Sequence, residues 1–266
     1  VAYQLYMNEG MPSLSTLAGA SGYAATAFHP YHATGWNRPI VYDYLDFDTQ
    51  LYNTDVASPR YVRRYISDQR NYEMLYDLTA QSEGVPNFIF NVTMQNHSGY
   101  AQGWHNLPKS ITLSEELEKA DPKAQQYFCL MKVSDNALSE LITHYEQVDE
   151  PTLIVFFGDH QPSLTKEFYE SLYGKKLDER STEEILKQYA VPFFLWANYD
   201  IPEQQNVVIS SNFLGMLTAK TAGLPLTGWL NFLSDLHDRI PVITPVGCIT
   251  AEGAVVKDFN QLSPEQ

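Results

Sequence analysis

The apolar positions fall into short runs that stop abruptly at polar residues able to do chemistry. The sharpest is Leu153-Ile154-Val155-Phe156-Phe157, which follows Pro151 and ends in Gly158-Asp159-His160. Such a run reads as a strand buried on both faces, as in the middle of a parallel sheet. Residues 23–28 run into His29-Pro30-Tyr31, and residues 87–94 into Gln95-Asn96-His97. Residues 191–197 end in Asn198-Tyr199-Asp200.

Helical spacing lies between these runs. Asp121-Pro122 suits an N-cap and first turn. Beyond it Tyr127, Leu130, Met131, Leu138, Leu141, Ile142 and Tyr145 keep three- and four-residue steps. Residues 61–78, with Ser58-Pro59 ahead, predict a second helix, on which Tyr65, Tyr72 and Tyr76 would be packing residues. Residues 211–222 predict a third, stopped by Gly223 with Pro225 beyond. The stretch 174–187 is a surface loop or short helix. From Ile240 onward, β-branched residues and glycines predict a small strand or hairpin.

Strands alternating with helices give an α/β fold with a mostly parallel central sheet flanked by helices. We expect a single domain over 1–266, with its main body at about 11–235 and a C-terminal β element or tail at 236–266.

In open α/β sheets, ligands bind at the carboxyl ends of the strands, so the polar endings matter. Asp159 and His160 offer a carboxylate and an imidazole, half a site for Mn²⁺, Zn²⁺ or Mg²⁺. His97 could bind phosphate, move a proton or ligate metal. Trp36-Asn37-Arg38 joins a guanidinium suited to phosphate with a flat apolar wall. The endings at His29, His97 and Asn198 suggest a shared rim.

Charge narrows the partners. The net charge is −15, from 32 acids against 17 bases. That opposes binding to a nucleic-acid backbone and leaves no polybasic patch for an anionic membrane. No apolar run approaches the roughly 20 residues that span a bilayer. The chain starts at Val1 without a signal-peptide pattern, and we expect a piece of a longer protein. Cys129 and Cys248 show no metal or redox spacing. Cys129 reads as a small buried hydrophobe, and a disulfide stays open.

Six segments, taken in order, resemble the extracellular catalytic domain of the lipoteichoic acid synthase family. They are Met11-Pro12-Ser13-Leu14 with Gly22-Tyr23; Phe28-His29-Pro30-Tyr31; Trp36-Asn37-Arg38; Thr93-Met94-Gln95-Asn96-His97; Phe157-Gly158-Asp159-His160-Gln161-Pro162; and Val191-Pro192-Phe193-Phe194-Leu195-Trp196-Ala197. That family comprises phosphoglycerol transferases of the alkaline phosphatase/sulfatase superfamily.

The resemblance implies that Asp159 and His160 ligate a divalent metal, commonly Mn²⁺. It implies that His29, Trp36, Arg38 and His97 hold the phosphoglycerol group, with His97 able to assist proton transfer. The implied reaction moves glycerol phosphate from phosphatidylglycerol to a teichoic acid polymer or glycolipid, through a phosphorylated threonine. It would occur on the outer face of a bacterial cell membrane, anchored by upstream segments.

One departure stands out. The family's nucleophilic Thr and a metal-binding Glu lie upstream of the Met11-Pro12 match, and residues 1–10 cannot supply them. We therefore expect a C-terminal part of the catalytic domain, lacking one or more N-terminal strands and inactive alone. A sulfatase would need a Cys or Ser in a Cys-x-Pro-x-Arg type sequence, which neither Cys129-Leu130-Met131 nor Cys248-Ile249-Thr250 provides. Phosphoethanolamine transfer, phosphodiester hydrolysis and a non-catalytic glycerol-phosphate-binding module are the other readings.

Overall fold

A computed structural model describes residues 6–82, 84–100 and 103–262. The chain divides into two compact units, Val1–Gln147 with Pro162–Leu172, and Val148–Gln161 with Tyr173–Gln266.

In the first unit, helix α1 (Leu14–Ala20) starts at Ser13, whose hydroxyl accepts the Thr16 amide. Strand β1 (Ala24–Phe28) lies between β2 (Thr49–Leu51) and β5 (Asn87–Asn91), parallel to both. Successive β1 side chains leave on opposite faces, and each face has its own cover. Phe28 packs with Val56, Ile66 and Met74. Ala27 packs with Val41 and Tyr42 of helix α2 (Arg38–Tyr44). The parallel sheet flanked by helices is as expected. Strand β5 is shorter than its apolar run, because the chain leaves the sheet at Val92.

The long helix predicted over 61–78 is wrong at its start. Tyr61–Val62 (β3) and Tyr65–Ile66 (β4) form an antiparallel hairpin. It turns at Arg63, held at φ 54°. Helix α3 (Asp68–Ala80) begins after it, capped by Ser67, whose hydroxyl accepts the Arg70 amide. The signal passed over was Ser67-Asp68, a better cap than Ser58-Pro59. Helix α4 (Glu115–Ala120) precedes helix α5 (Ala124–Tyr145), and α5 packs along α3. Asp121 folds onto the Lys123 amide at 2.9 Å and also accepts the Thr165 amide at 2.9 Å. That second bond ties it to the turn before helix α6 (Lys166–Tyr173).

In the second unit, β6 (Leu153–Phe157) pairs with β7 (Phe193–Ala197), and the pairing is antiparallel. The parallel, doubly buried strand expected here is corrected. Its residues are half-buried and Phe157 is 44 % exposed. An apolar run reports burial but carries no information on strand direction. Helix α7 (Thr182–Lys187) is the short helix allowed for in 174–187, with a capping box from Ser181 and Glu184. Helix α8 (Ser211–Thr221) ends as foreseen, with Gly223 at φ 68°, and helix α9 spans Gly228–His237. Strands β8 (Val242–Thr244), β9 (Gly247–Ile249) and β10 (Val255–Val256) form the small C-terminal antiparallel sheet. Both cysteines are buried and free. No helix among the described residues is long and apolar enough to cross a membrane.

Candidate functional site

The carboxyl edge of the parallel sheet places His29 directly after β1. Its backbone amide donates to Leu51 O (2.9 Å), while Val92 N donates to Phe28 O (2.9 Å). The side chain is only 1 % exposed. Its Nδ1 lies 2.8 Å from Val92 O. A carbonyl can only accept, so Nδ1 carries the proton. Burial drives the pKa from 6.5 to about 4, with the charges of Arg38 and His97 pushing the same way. The ring is therefore neutral, and its Nε2 is a bare lone pair, buried and without a partner. A buried acceptor with no protein partner is a candidate contact for a ligand or a water.

Arg38 sits at the start of α2 and is 9 % exposed. Its Nη1 donates to Gly35 O (3.2 Å) and His32 O (3.4 Å). It has no carboxylate partner among the described residues, and Nη2 and Nε have no protein acceptor there. Trp36 lies under the guanidinium, 4.6 Å from ring centroid to Cζ. Trp36 and Asn37 are both held at positive φ, 54° and 58°, a conformation costly for non-glycine residues. Gly35 makes room for the guanidinium: a Cβ there would lie 2.6 Å from Arg38 Nη1.

His97 is exposed, and its ring stands edge-on to Tyr65 at 6.0 Å. Tyr65 continues to Tyr31 (5.7 Å) and Tyr31 to His29 (6.3 Å), so an aromatic arc links the two histidines. The unit thus gathers four of the expected residues, His29, Trp36, Arg38 and His97. It also adds residues that sequence reasoning missed. Tyr65 is on β4, not on a helix. Arg63 is buried and donates through Nη2 to Gln95 O (2.8 Å) and His97 O (2.7 Å). Asp68, fully buried, is pushed up to about 6 by desolvation. A twin arginine after an aromatic strand was the one sequence signal available.

Asp159 and His160 lie in the second unit, directly beyond β6, with side chains 81 % and 75 % exposed. His160 Nδ1 is 2.9 Å from Gln161 O, which keeps a proton on that nitrogen. Nε2 faces Asp159 Oδ2 at 3.3 Å. So close a contact suits a proton or a cation between them, and a backbone-anchored imidazole is the usual form of a metal-ligating histidine. The pair fits as two donors of a metal site. Among the described residues, no group of three His, Cys, Asp or Glu gathers to complete one. Asn198 does other work: Oδ1 accepts Thr152 N (2.8 Å) and Nδ2 donates to Val148 O (2.8 Å) and Glu150 O (3.0 Å). It clasps the β6–β7 pair rather than facing a ligand.

The sulfatase family model matches residues 6–223, and the chain belongs to that family. It is 27% identical, over 97% of its length, to 41% of a putative cyclic beta-1,2-glucan modification protein of Rhizobium meliloti. Its fold is similar to that of the Streptococcus pyogenes phosphoglycerol transferase GacH, solved with sn-glycerol-1-phosphate. There the TM-score is 0.65 at 20% identity, covering 92% of this chain and 57% of that one. The lipoteichoic acid synthase LtaP from Listeria monocytogenes gives 0.60 at 21% identity, over 77% of this chain and 50% of that one. The chain thus spans between two fifths and three fifths of these proteins' lengths.

Proposed function

We propose that this chain is the substrate-holding part of a phosphoglycerol transferase of the lipoteichoic acid synthase type. One observation carries the reading. A buried guanidinium without a carboxylate partner lies beside a buried imidazole whose Nε2 has none either. In a chain with 32 acids, a buried arginine left uncompensated marks the place of an anion.

The donor and acceptor pattern divides the ligand. Arg38 Nη2 and Nε donate to phosphoryl oxygens. The bare Nε2 of His29 cannot donate and accepts a hydroxyl of glycerol. Trp36 covers the apolar side. Exposed His97 moves a proton between the reacting oxygen and solvent. Asp159 and His160 are ligands of a divalent cation, Mn²⁺ by the resemblance and otherwise Mg²⁺ or Zn²⁺. Such an ion would supply Lewis-acid charge.

In the transfer, a threonine oxygen displaces diacylglycerol from the phosphorus of phosphatidylglycerol, and an acceptor hydroxyl then displaces the threonine. On this reading the whole protein acts at the extracellular face of a bacterial membrane. The acceptor is a glycolipid or polymer, and the name of the Rhizobium relative favours a glycan.

The test is calorimetric titration of this chain with sn-glycerol-1-phosphate, phosphoethanolamine and sulfate. We expect the first to bind best, and Arg38→Ala to weaken it at least about 30-fold, the loss of a charged hydrogen-bond pair. Preference for sulfate or phosphoethanolamine, or binding indifferent to Arg38, would remove the proposal.

A further inference from the structure

The loop that carries His97 is tied down by side chains from three separate elements. Ser134 projects from the middle of α5, far along the chain. Its Oγ lies 3.0 Å from Gln95 Nε2 and 2.8 Å from Asn96 Nδ2. Both amide nitrogens can only donate, so both lone pairs of the hydroxyl are taken. Its proton has one remaining partner, Asp68 Oδ2 on α3. The Gln95 amide is oriented in turn, because its Oε1 accepts the Asp68 backbone amide at 3.0 Å.

From the other side Arg63 holds the carbonyls of Gln95 and His97, and the Tyr100 hydroxyl donates to Asn96 O at 2.9 Å. Gln95 Nε2 also lies 3.4 Å from Asp68 Oδ2 and 3.3 Å from Asn96 Oδ1, so the same amide joins every member of the cluster. The arrangement has a cost. Asp68 is fully buried and its Oδ1 has no partner. An apolar pair between α3 and α5 would avoid that cost, whereas a satisfied polar network specifies one geometry.

We infer that Ser134 and Asp68 are positioning residues for His97. The chain Asp68–Ser134–Gln95/Asn96 sets where the exposed imidazole stands relative to Tyr65. The inference deepens the phosphoglycerol reading and rests on it for the importance of His97, but not for the geometry.

Ser134 is only half-buried, so Ser134→Ala folds, and Ser134→Thr keeps the hydroxyl. The experiment reads two quantities on this chain. The first is the ring-proton resonances of His97, assigned by their loss in His97→Gln and displaced by the Tyr65 ring. The second is the affinity for sn-glycerol-1-phosphate.

In Ser134→Ala the His97 resonances move towards random-coil positions and affinity falls about tenfold, as for a small misplacement of a contacting group. Ser134→Thr keeps both near wild type. Resonances unmoved in Ser134→Ala overturn the inference whatever binding does, and so does a threonine variant that behaves like the alanine one. A wild-type chain that does not bind glycerol phosphate removes the functional proposal, while the ring protons still decide the role of Ser134.

Discussion

Two buried ionisable groups in the first unit pull stability in opposite directions over one pH window. His29 is held neutral, its pKa down from 6.5 to about 4. Between those values the unfolded chain binds a proton that the folded chain refuses, so this contribution is complete above 6.5 and is lost as pH falls towards 4. Asp68 is the reverse, raised from 3.8 to about 6. Its folded state keeps a proton that the unfolded state has lost, so its contribution is complete below 3.8 and is lost as pH rises through 6. At 1.36 kcal/mol per pKa unit, each amounts to about 3 kcal/mol.

In the wild type the two slopes largely cancel between pH 4 and 6. Asp68→Asn removes one of them. The stability of the wild type minus that of Asp68→Asn should fall by about 3 kcal/mol from pH 4 to 6.5, and the same difference for His29→Gln should rise by about 3 kcal/mol. Taking differences removes the titration of the other carboxylates, which is common to both proteins. Urea unfolding read by hydrogen exchange in the β1 peptide follows this unit alone. A difference that changes by less than about 1 kcal/mol over the window would refute the assignment of that residue as buried in the stated charge state.

Two further outcomes follow from local geometry. Gly35→Ala places a Cβ 2.6 Å from Arg38 Nη1. The backbone there is ordinary, so the flexible guanidinium moves and stability stays within about 0.5 kcal/mol. Affinity for sn-glycerol-1-phosphate should nonetheless drop at least about tenfold by calorimetry, and an unchanged affinity would show that the guanidinium head is not the contact. Weak Mn²⁺ binding, read by electron paramagnetic resonance, should vanish in both Asp159→Asn and His160→Gln; binding that survives both lies elsewhere.

The candidate residues were legible because they follow strand ends. His29 and His97 each succeed an apolar run, and a run that ends at a glycine or a polar pair announces its own edge. Arg38 and Trp36 were legible as residue types suited to phosphate. Their strained backbone, and the role of Gly35 as clearance for a guanidinium, were not, because both depend on where a side chain returns. The hairpin at Arg63 was hidden by aromatic residues whose spacing mimicked a helix, and with it the clamp on the His97 loop. Ser134 looked like one more polar residue on a helix surface.

What the sequence by itself determined was the α/β class with a parallel sheet, the stop of the helix before Gly223, the small C-terminal β element and the identities of the polar residues at strand ends. Those features are local: periodicity, caps and turn residues act over a few positions, and apolar runs state burial directly. Tertiary structure alone decided that β6 pairs antiparallel with β7, that Asn198 is a clasp, that His29 is neutral with a bare Nε2, and that Asp68 and Ser134 reach the loop before His97. Each of these depends on groups distant in the chain meeting in a medium with little water, where direction of pairing, proton position and charge state are set by neighbours that no local pattern names.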